Sequence, residues 1–445
     1  MELKEKVQEI LPRVRQDLER LIRVPSVSAP DFDPQHVRSS AETTAEILEA
    51  SGLQDVRFLE VEGAHPAVIG EHPAPGGAPT VLLYAHHDVQ PPGREEEWDS
   101  PPFEPQERDG RLYGRGSSDD KCGIALHQAA LLAHEGSPPV GVKVFVEGEE
   151  EIGSPFLGQF LKRYRDELAA DAIVLADSAN WRVGQPALTT SLRGLVDCEV
   201  EVRTLDHGVH SGFLGGVFPD ALTVLSRLLA TLHDERGRVA IPGLVEGEAD
   251  PMDLSDEEVR DWVGAVPGLQ ELGEGSLTSR MWTRPAISVL AIDAPTVAEA
   301  SNTLVPVARA KVSLRLAPGQ DPQAAEDALH KHLESNAPWG AQVRVERGAA
   351  AHPFAVDAAG PAFDAVRAAF EEAWGTPPVD TGQGGTIPFV KEFADTYPKA
   401  AILLIGVGDP DSRAHGVNES VDLGDLERGC LAEALFLRNL ADRSP

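Results

Sequence analysis

The chain has 445 residues, 42% of them hydrophobic and with ordinary glycine and proline content, which is enough to bury a large core and to divide into two domains. A formal charge of −33 opposes binding to nucleic acid or an anionic membrane, whose phosphates would repel it, and no basic patch interrupts the acidity. Three cysteines, Cys122, Cys198 and Cys430, are too few and too scattered for a disulfide framework, which fits a reducing compartment.

The first segment, MELKEKVQEILPRVRQDLERLI, carries charges throughout with an apolar period of about 3.6, predicting an amphipathic helix rather than a signal peptide. No run approaches the roughly 18 apolar residues of a membrane span, so the expected location is cytoplasmic. HVRSSAETTAEILEASGL reads as a helix that Gly52 ends. The strands DVRFLEV and AVIGEH precede a turn-rich break from Pro73 to Pro79, and the strand TVLLYA follows it. GIALHQAALLAHEG is helical, with small residues for close packing. VGVKVFVEG, FLGQFLKRYRDEL and AIVLAD then supply strand, helix and strand. This order predicts an α/β catalytic domain, a mainly parallel sheet with helices on both faces.

Near Ser191 the texture changes. LVDCEVEVRT alternates apolar and polar residues, as a strand with one wet face does, and PDALTVLSRLLATLHDERG is the next helix. A weakly patterned stretch from Arg238 to Arg284 reads as an insertion. AISVLAID, ARAKVSLRLA, the helix DPQAAEDALHKHLESN and QVRVERG repeat the strand-helix theme. They predict a smaller α+β sandwich, one sheet with helices on one side. The expected division is 1–188 for the first part of the larger domain, 189–350 for the smaller domain inserted into it, and 351–445 for the remainder.

The chemistry gathers where strands end. TVLLYA delivers His86-His87-Asp88, and a glycine-punctuated turn leads to Asp119-Asp120-Lys121. VGVKVFV runs into Glu147-Gly148-Glu149-Glu150-Glu151, AIVLA into Asp177, and AAILLIG into a loop carrying His415. In open α/β sheets ligands bind beyond the carboxyl ends of the strands, so these residues are expected at one rim. Imidazole nitrogen mixed with carboxylate oxygen suits Zn²⁺ or Mn²⁺. Glu150 and Glu151 can serve one site only if the strand has already ended, as Gly148 and Gly153 permit. In VSLRLA, alternation buries Val312, Leu314 and Leu316 and puts Arg315 on the other face, where its fork suits a carboxylate.

AHHDVQP, LYGRGSSDDK, EGEEEIGS, VLADS, HSGFLGG, NTLVP and RAHGVNE, in this order, resemble the M20 family of dinuclear zinc metallopeptidases, nearest to its carnosinase and cytosolic nonspecific dipeptidase branch. The resemblance covers nearly the whole chain. It implies His86 and Asp177 on one metal, Glu151 and His415 on the other, and Asp119 bridging them. The cofactor would be two divalent ions per chain, Zn²⁺ first, with Mn²⁺ or Co²⁺ compatible. It further implies Glu150 as general base, Asp88 as the carboxylate that orients His86, and a cis peptide after Asp119. His210 is the implied oxyanion donor, contributed across a homodimer formed through the inserted lid domain. Asn302, Thr303 and the loop Gly384-Gly385-Thr386 fall at implied substrate contacts. Cys122 departs from the glycine common after Asp-Lys and reads as a small residue at a helix start. The expected activity is hydrolysis of the amide bond of dipeptides or short peptides. N-acyl amino acid deacylation at the same site is the alternative, and a catalytically silent binding protein is disfavoured because all ligands and the base are present.

Overall fold

The computed structural model describes residues 2–385 and 387–443. They form two compact units: one runs to Thr190, resumes over Val356–Thr381 and again from Pro388, and the other comprises Ser191–Ala355 with Gly382–Ile387.

In the first unit the sheet runs in the order Gln54–Leu59, Ala67–His72, Gly141–Glu147, Thr80–His86, Ala172–Leu175, Ala401–Leu404 and Ala187–Leu192. The middle four strands are parallel, while the first two and the last pair antiparallel. Strands covered on both faces need continuous apolar runs rather than alternation, and TVLLYA and AIVLA have them. Val81, Leu83 and Ala85 pack into a core with the helices Leu3–Ile22, Lys121–Ala133, Pro361–Trp374 and Leu423–Arg443. The opposite face carries an aromatic cluster, in which the Tyr84 ring lies 4.6 Å from Phe389, 5.4 Å from Phe393 and 6.0 Å from Phe145.

Helix Pro34–Ala50 starts on Asp33, whose carboxylate accepts from the Gln35 N–H, with proline in the first turn. It stops before Gly52, where φ is 96° and a Cβ would come within 2.8 Å of Gly136 Cα. The segment FLGQFLKRYRDEL, expected as one helix, breaks at Tyr164 into Leu157–Arg163 and Arg165–Leu168. The Tyr164 hydroxyl donates to the Glu60 carbonyl, a contact that local periodicity does not register.

The second unit is a four-stranded antiparallel sheet ordered Ala286–Asp293, Val307–Leu316, Gly194–Arg203, Gln342–Ala351. Helices Ala221–Ala230 and Pro322–Ser335 cover one face: Val224, Leu225, Leu228, Leu329 and Leu333 pack against Val196, Val200, Val312 and Leu314. Alternation in Gly194–Arg203 reflects this one-sided cover. The weakly patterned stretch holds a short helix, Asp256–Trp262, with Ser255 and Glu258 forming a capping box. Among the described residues no helix is long and apolar enough to cross a membrane.

Candidate metal centre

Parallel pairing brings His86 beside Glu147 and Leu175 beside Leu404, so the loops after these strands leave from one rim of the first unit. His86 Nε2 lies 3.1 Å from Asp119 Oδ1, while His415 Nε2 lies 3.0 Å from Asp119 Oδ2 and 3.2 Å from Glu151 Oε2. Asp119 thus presents one oxygen to each imidazole. Donor atoms of His86, Asp119 and Glu151 fall within 4.8 Å of one another, as do those of His86, Glu150 and Asp177. The structure therefore brings His86, Asp119, Glu150, Glu151, Asp177 and His415 together.

The acidic run does not act as a block. The strand ends at Glu147, whose carboxylate accepts from the Tyr84 hydroxyl at 2.5 Å and from Ser154 at 2.7 Å. Glu149 turns away and accepts from the backbone N–H groups of His65 and Phe156. Glu150 and Glu151 open a 3₁₀ turn, and their N–H groups donate to Asp88 at 3.2 and 3.1 Å. His86 Nδ1 lies 3.1 Å from the Asp88 carbonyl oxygen and 3.3 Å from its carboxylate, which also accepts from Ser28, so Asp88 orients the imidazole and its buried carboxylate anchors the turn that presents both glutamates. Gly148 allows that turn: a Cβ there would lie 2.6 Å from the buried His87 ring and 3.0 Å from the Pro66 carbonyl. The Asp119-Asp120 peptide is cis. Cys122 lies buried at the start of helix Lys121–Ala133, its thiol 3.1 Å from the Ser118 carbonyl.

Burial and crowding shape the charge. Burial raises the Glu150 pKa well above the carboxylate range, with the charges of Asp177, Glu151 and Asp119 adding to it. Asp177 rises to about 7, through burial first and then Asp119. His415 reaches about 10 through its hydrogen bonds to Asp119 and Glu151. For His86 burial alone would lower the pKa, but bonds to Asp119 and Asp88 outweigh it and the net shift is well upward. For Asp119 burial would raise it, yet the two imidazoles hold it below its usual value. Protons are thus what would compensate this crowd of carboxylates, and divalent cations do so with the same nitrogen and oxygen donors. The residues fit a metal centre.

Three polar residues that motif reading passed over complete the rim. Gln90 donates from its backbone to Glu151 Oε1 at 3.1 Å and from its side chain to Oε2 at 2.8 Å. Arg115 and Glu419 form a buried ion pair between the Asp119 and His415 loops. All three lie inside the quoted motifs, and that position is the signal by which they were legible.

In the second unit, His210 is exposed and pairs with Thr303 in a short ladder, while the Ser211 N–H donates to the Asn302 carbonyl at 2.8 Å. His210, Asn302 and Thr303 are thereby neighbours. Arg315 lies opposite Leu195 and Ala286, on the sheet face away from the helices. Gly384 and Gly385 belong to the short return Gly382–Ile387, whose Gln383 carbonyl accepts from the Arg193 N–H at 3.1 Å. Thr386 lies outside the described residues.

Comparison with known proteins gives a consistent result. The sequence pattern described as Peptidase family M20/M25/M40 matches residues 82–439. The chain is 36% identical over 435 residues to the cysteinylglycine-S-conjugate dipeptidase of Corynebacterium striatum, covering 96% of this chain and 95% of that one. It is 26% identical to the Cys-Gly metallodipeptidase DUG1 of Saccharomyces cerevisiae, over 98% and 96% of the two chains. The solved structure of human carnosine dipeptidase 1 superposes with a TM-score of 0.81 at 25% identity, over 99% and 98% of the two chains. A family pattern spanning most of the chain, a relative more than one-third identical along nearly its full length, and a rim of imidazole and carboxylate donors lead to one conclusion: the protein belongs to peptidase family M20/M25/M40.

Proposed function

We propose that the protein is a metal-dependent dipeptidase that hydrolyses the amide bond of dipeptides carrying a free carboxylate. The observation that carries this reading is the convergence of His86, Asp119, Glu151, Asp177 and His415 with Glu150 beside them. The dipeptidase names of relatives aligned over nearly the whole chain support the substrate class. His86 and Asp177 would hold one divalent ion and Glu151 and His415 the other, with Asp119 shared, and Zn²⁺ matches these donors best. Bound ions supply Lewis acidity, which polarises the scissile carbonyl and acidifies water.

The chain's own residues do the rest. Glu150 takes a proton from the attacking water at its carboxylate and returns it to the leaving amine nitrogen as the C–N bond breaks. Asp88 keeps the His86 ring and the Glu150 turn in register. His210 would donate to the oxyanion, Arg315 would take the substrate carboxylate in its fork, and Asn302, Thr303 and the Gly384-Gly385-Thr386 loop would line the remainder.

The reading includes a cytoplasmic homodimer. All three cysteines are free and buried, which suits a reducing compartment, and the outer strand Ala286–Asp293 exposes Leu290 and Ile292 for a second copy to cover.

The test is a substrate panel. Apoprotein reloaded with Zn²⁺, Mn²⁺ or Co²⁺ should cleave dipeptides with a free carboxyl terminus faster than their amides, tripeptides or N-acetyl amino acids, and should contain two ions per chain. Asp119→Ala should lose both ions. Cleavage of N-acetyl amino acids with dipeptides left intact would replace the dipeptidase by a deacylase.

A further inference from the structure

Two loops supply Asp119 and His415, and a buried pair that is not itself among the ligands ties them together. Arg115 Nη1 lies 2.5 Å from Glu419 Oε2, and both residues are at most 1% exposed. Glu419 Oε1 accepts from the N–H groups of Ser118 and Asp119 at 3.0 and 3.1 Å. Arg115 Nη2 donates to the carbonyls of His415 at 3.2 Å, Gly416 at 3.0 Å and Pro91 at 3.2 Å. One end of the pair therefore grips the Asp119 backbone and the other grips the His415 backbone.

The two imidazoles differ in what else restrains them. His86 is buried at a strand end and oriented by Asp88. The His415 side chain is 58% exposed, and its backbone is left-handed at φ 65°, on a turn where Arg413 and Asn418 are left-handed as well. Residues with a Cβ keep such a conformation only where their surroundings over-determine it, and the Arg115 donors to His415 and its neighbour do that. A buried ion pair is weak evidence of stabilisation in itself, since its desolvation offsets its attraction. Its geometry here is that of a clamp.

We propose that Arg115 and Glu419 form a positioning pair in which Arg115 acts selectively on the metal position of Glu151 and His415, while Glu419 holds the backbone of Asp119, which both positions share. This rests on the two-ion reading above. It predicts unequal losses when the Arg115 contacts are removed and the Asp119 contact is kept: outer contacts to metal ligands are typically worth about 10–100-fold in affinity, and Arg115 donates to the His415 backbone whereas Glu419 holds Asp119, which both positions share.

The experiment counts Co²⁺ per chain in loaded protein dialysed against graded chelator buffers, with the visible spectrum and melting temperature followed in parallel. Arg115→Met/Glu419→Gln removes both charges but leaves an amide oxygen for the Ser118 and Asp119 N–H groups. One ion should weaken about 10–100-fold while the other is unchanged, and the retained ion should have the spectrum it has in His415→Ala. Glu419→Gln alone, in which Arg115 keeps its carbonyl partners, should weaken the same ion by a smaller factor. Equal weakening of both ions, or unchanged affinities in Glu419→Gln with only a lower melting temperature, would overturn the clamp. A parent protein that takes fewer than two ions refutes the two-ion reading itself, and the clamp with it.

Discussion

Glu150 and Glu151 are adjacent in sequence, yet their carboxylates answer to different partners. Glu151 is gripped by Gln90 and lies 3.2 Å from His415, whereas Glu150 approaches His86 only to 3.9 Å. A ligand has to be held, and a base has to be free to exchange a proton. Glu150→Gln should therefore retain metal and lose roughly 10²–10⁴-fold in kcat, because a neutral amide accepts no proton. Glu151→Gln should lose metal first. Metal analysis beside steady-state kinetics checks both, and the reverse pattern would exchange the two roles. Asp88 explains how neighbours can be split this way: it accepts both of their N–H groups, so the 3₁₀ turn rather than strand alternation sets their directions.

The strands differ in what covers them, and this sets where each can work. The Thr80–His86 strand is enclosed on both faces and presents chemistry only at its end. The outer strand Ala286–Asp293 pairs on one side with Val307–Leu316 and leaves Leu290 62% and Ile292 49% exposed. An apolar edge strand is a template for pairing with another chain, and lysine is the usual device that blunts it. Leu290→Lys/Ile292→Lys should convert the proposed dimer to monomer in sedimentation at micromolar concentration, with unchanged far-ultraviolet dichroism. Persistent dimers would move the interface elsewhere. Because His210 is the residue assigned to the neighbouring copy, the same variant should lose turnover while keeping its metal.

At the scale of the molecule, the proposal makes each active site depend on two chains. The residues assigned to metal and base belong to one unit, and His210, Asn302, Thr303 and Arg315 to the other. Glu150→Ala and His210→Ala proteins, each nearly inactive, should complement one another after subunit exchange. Random pairing makes about half the dimers mixed, each with one intact site, so roughly a quarter of full activity should return. Recovery of none after demonstrated exchange would assign His210 to its own chain.

Much of this was legible without coordinates. Mostly apolar runs that end in His86, Glu147, Asp177 and the His415 loop announce buried parallel strands, because a strand covered on both faces leaves little room for polar residues before its end. Alternation in LVDCEVEVRT likewise announces a sheet with one covered face. Both signals are local, since side-chain direction repeats within a few residues. The tertiary structure alone decided which polar groups meet across long separations. Arg115 finds Glu419 and Gln90 finds Glu151, while Glu147 and Glu149 turn from the donor cluster toward Tyr84 and the backbone of His65. Gly382–Ile387 joins the second unit although the residues flanking it belong to the first. Such pairings depend on how loops close between distant strands, and no periodicity in the chain encodes that closure.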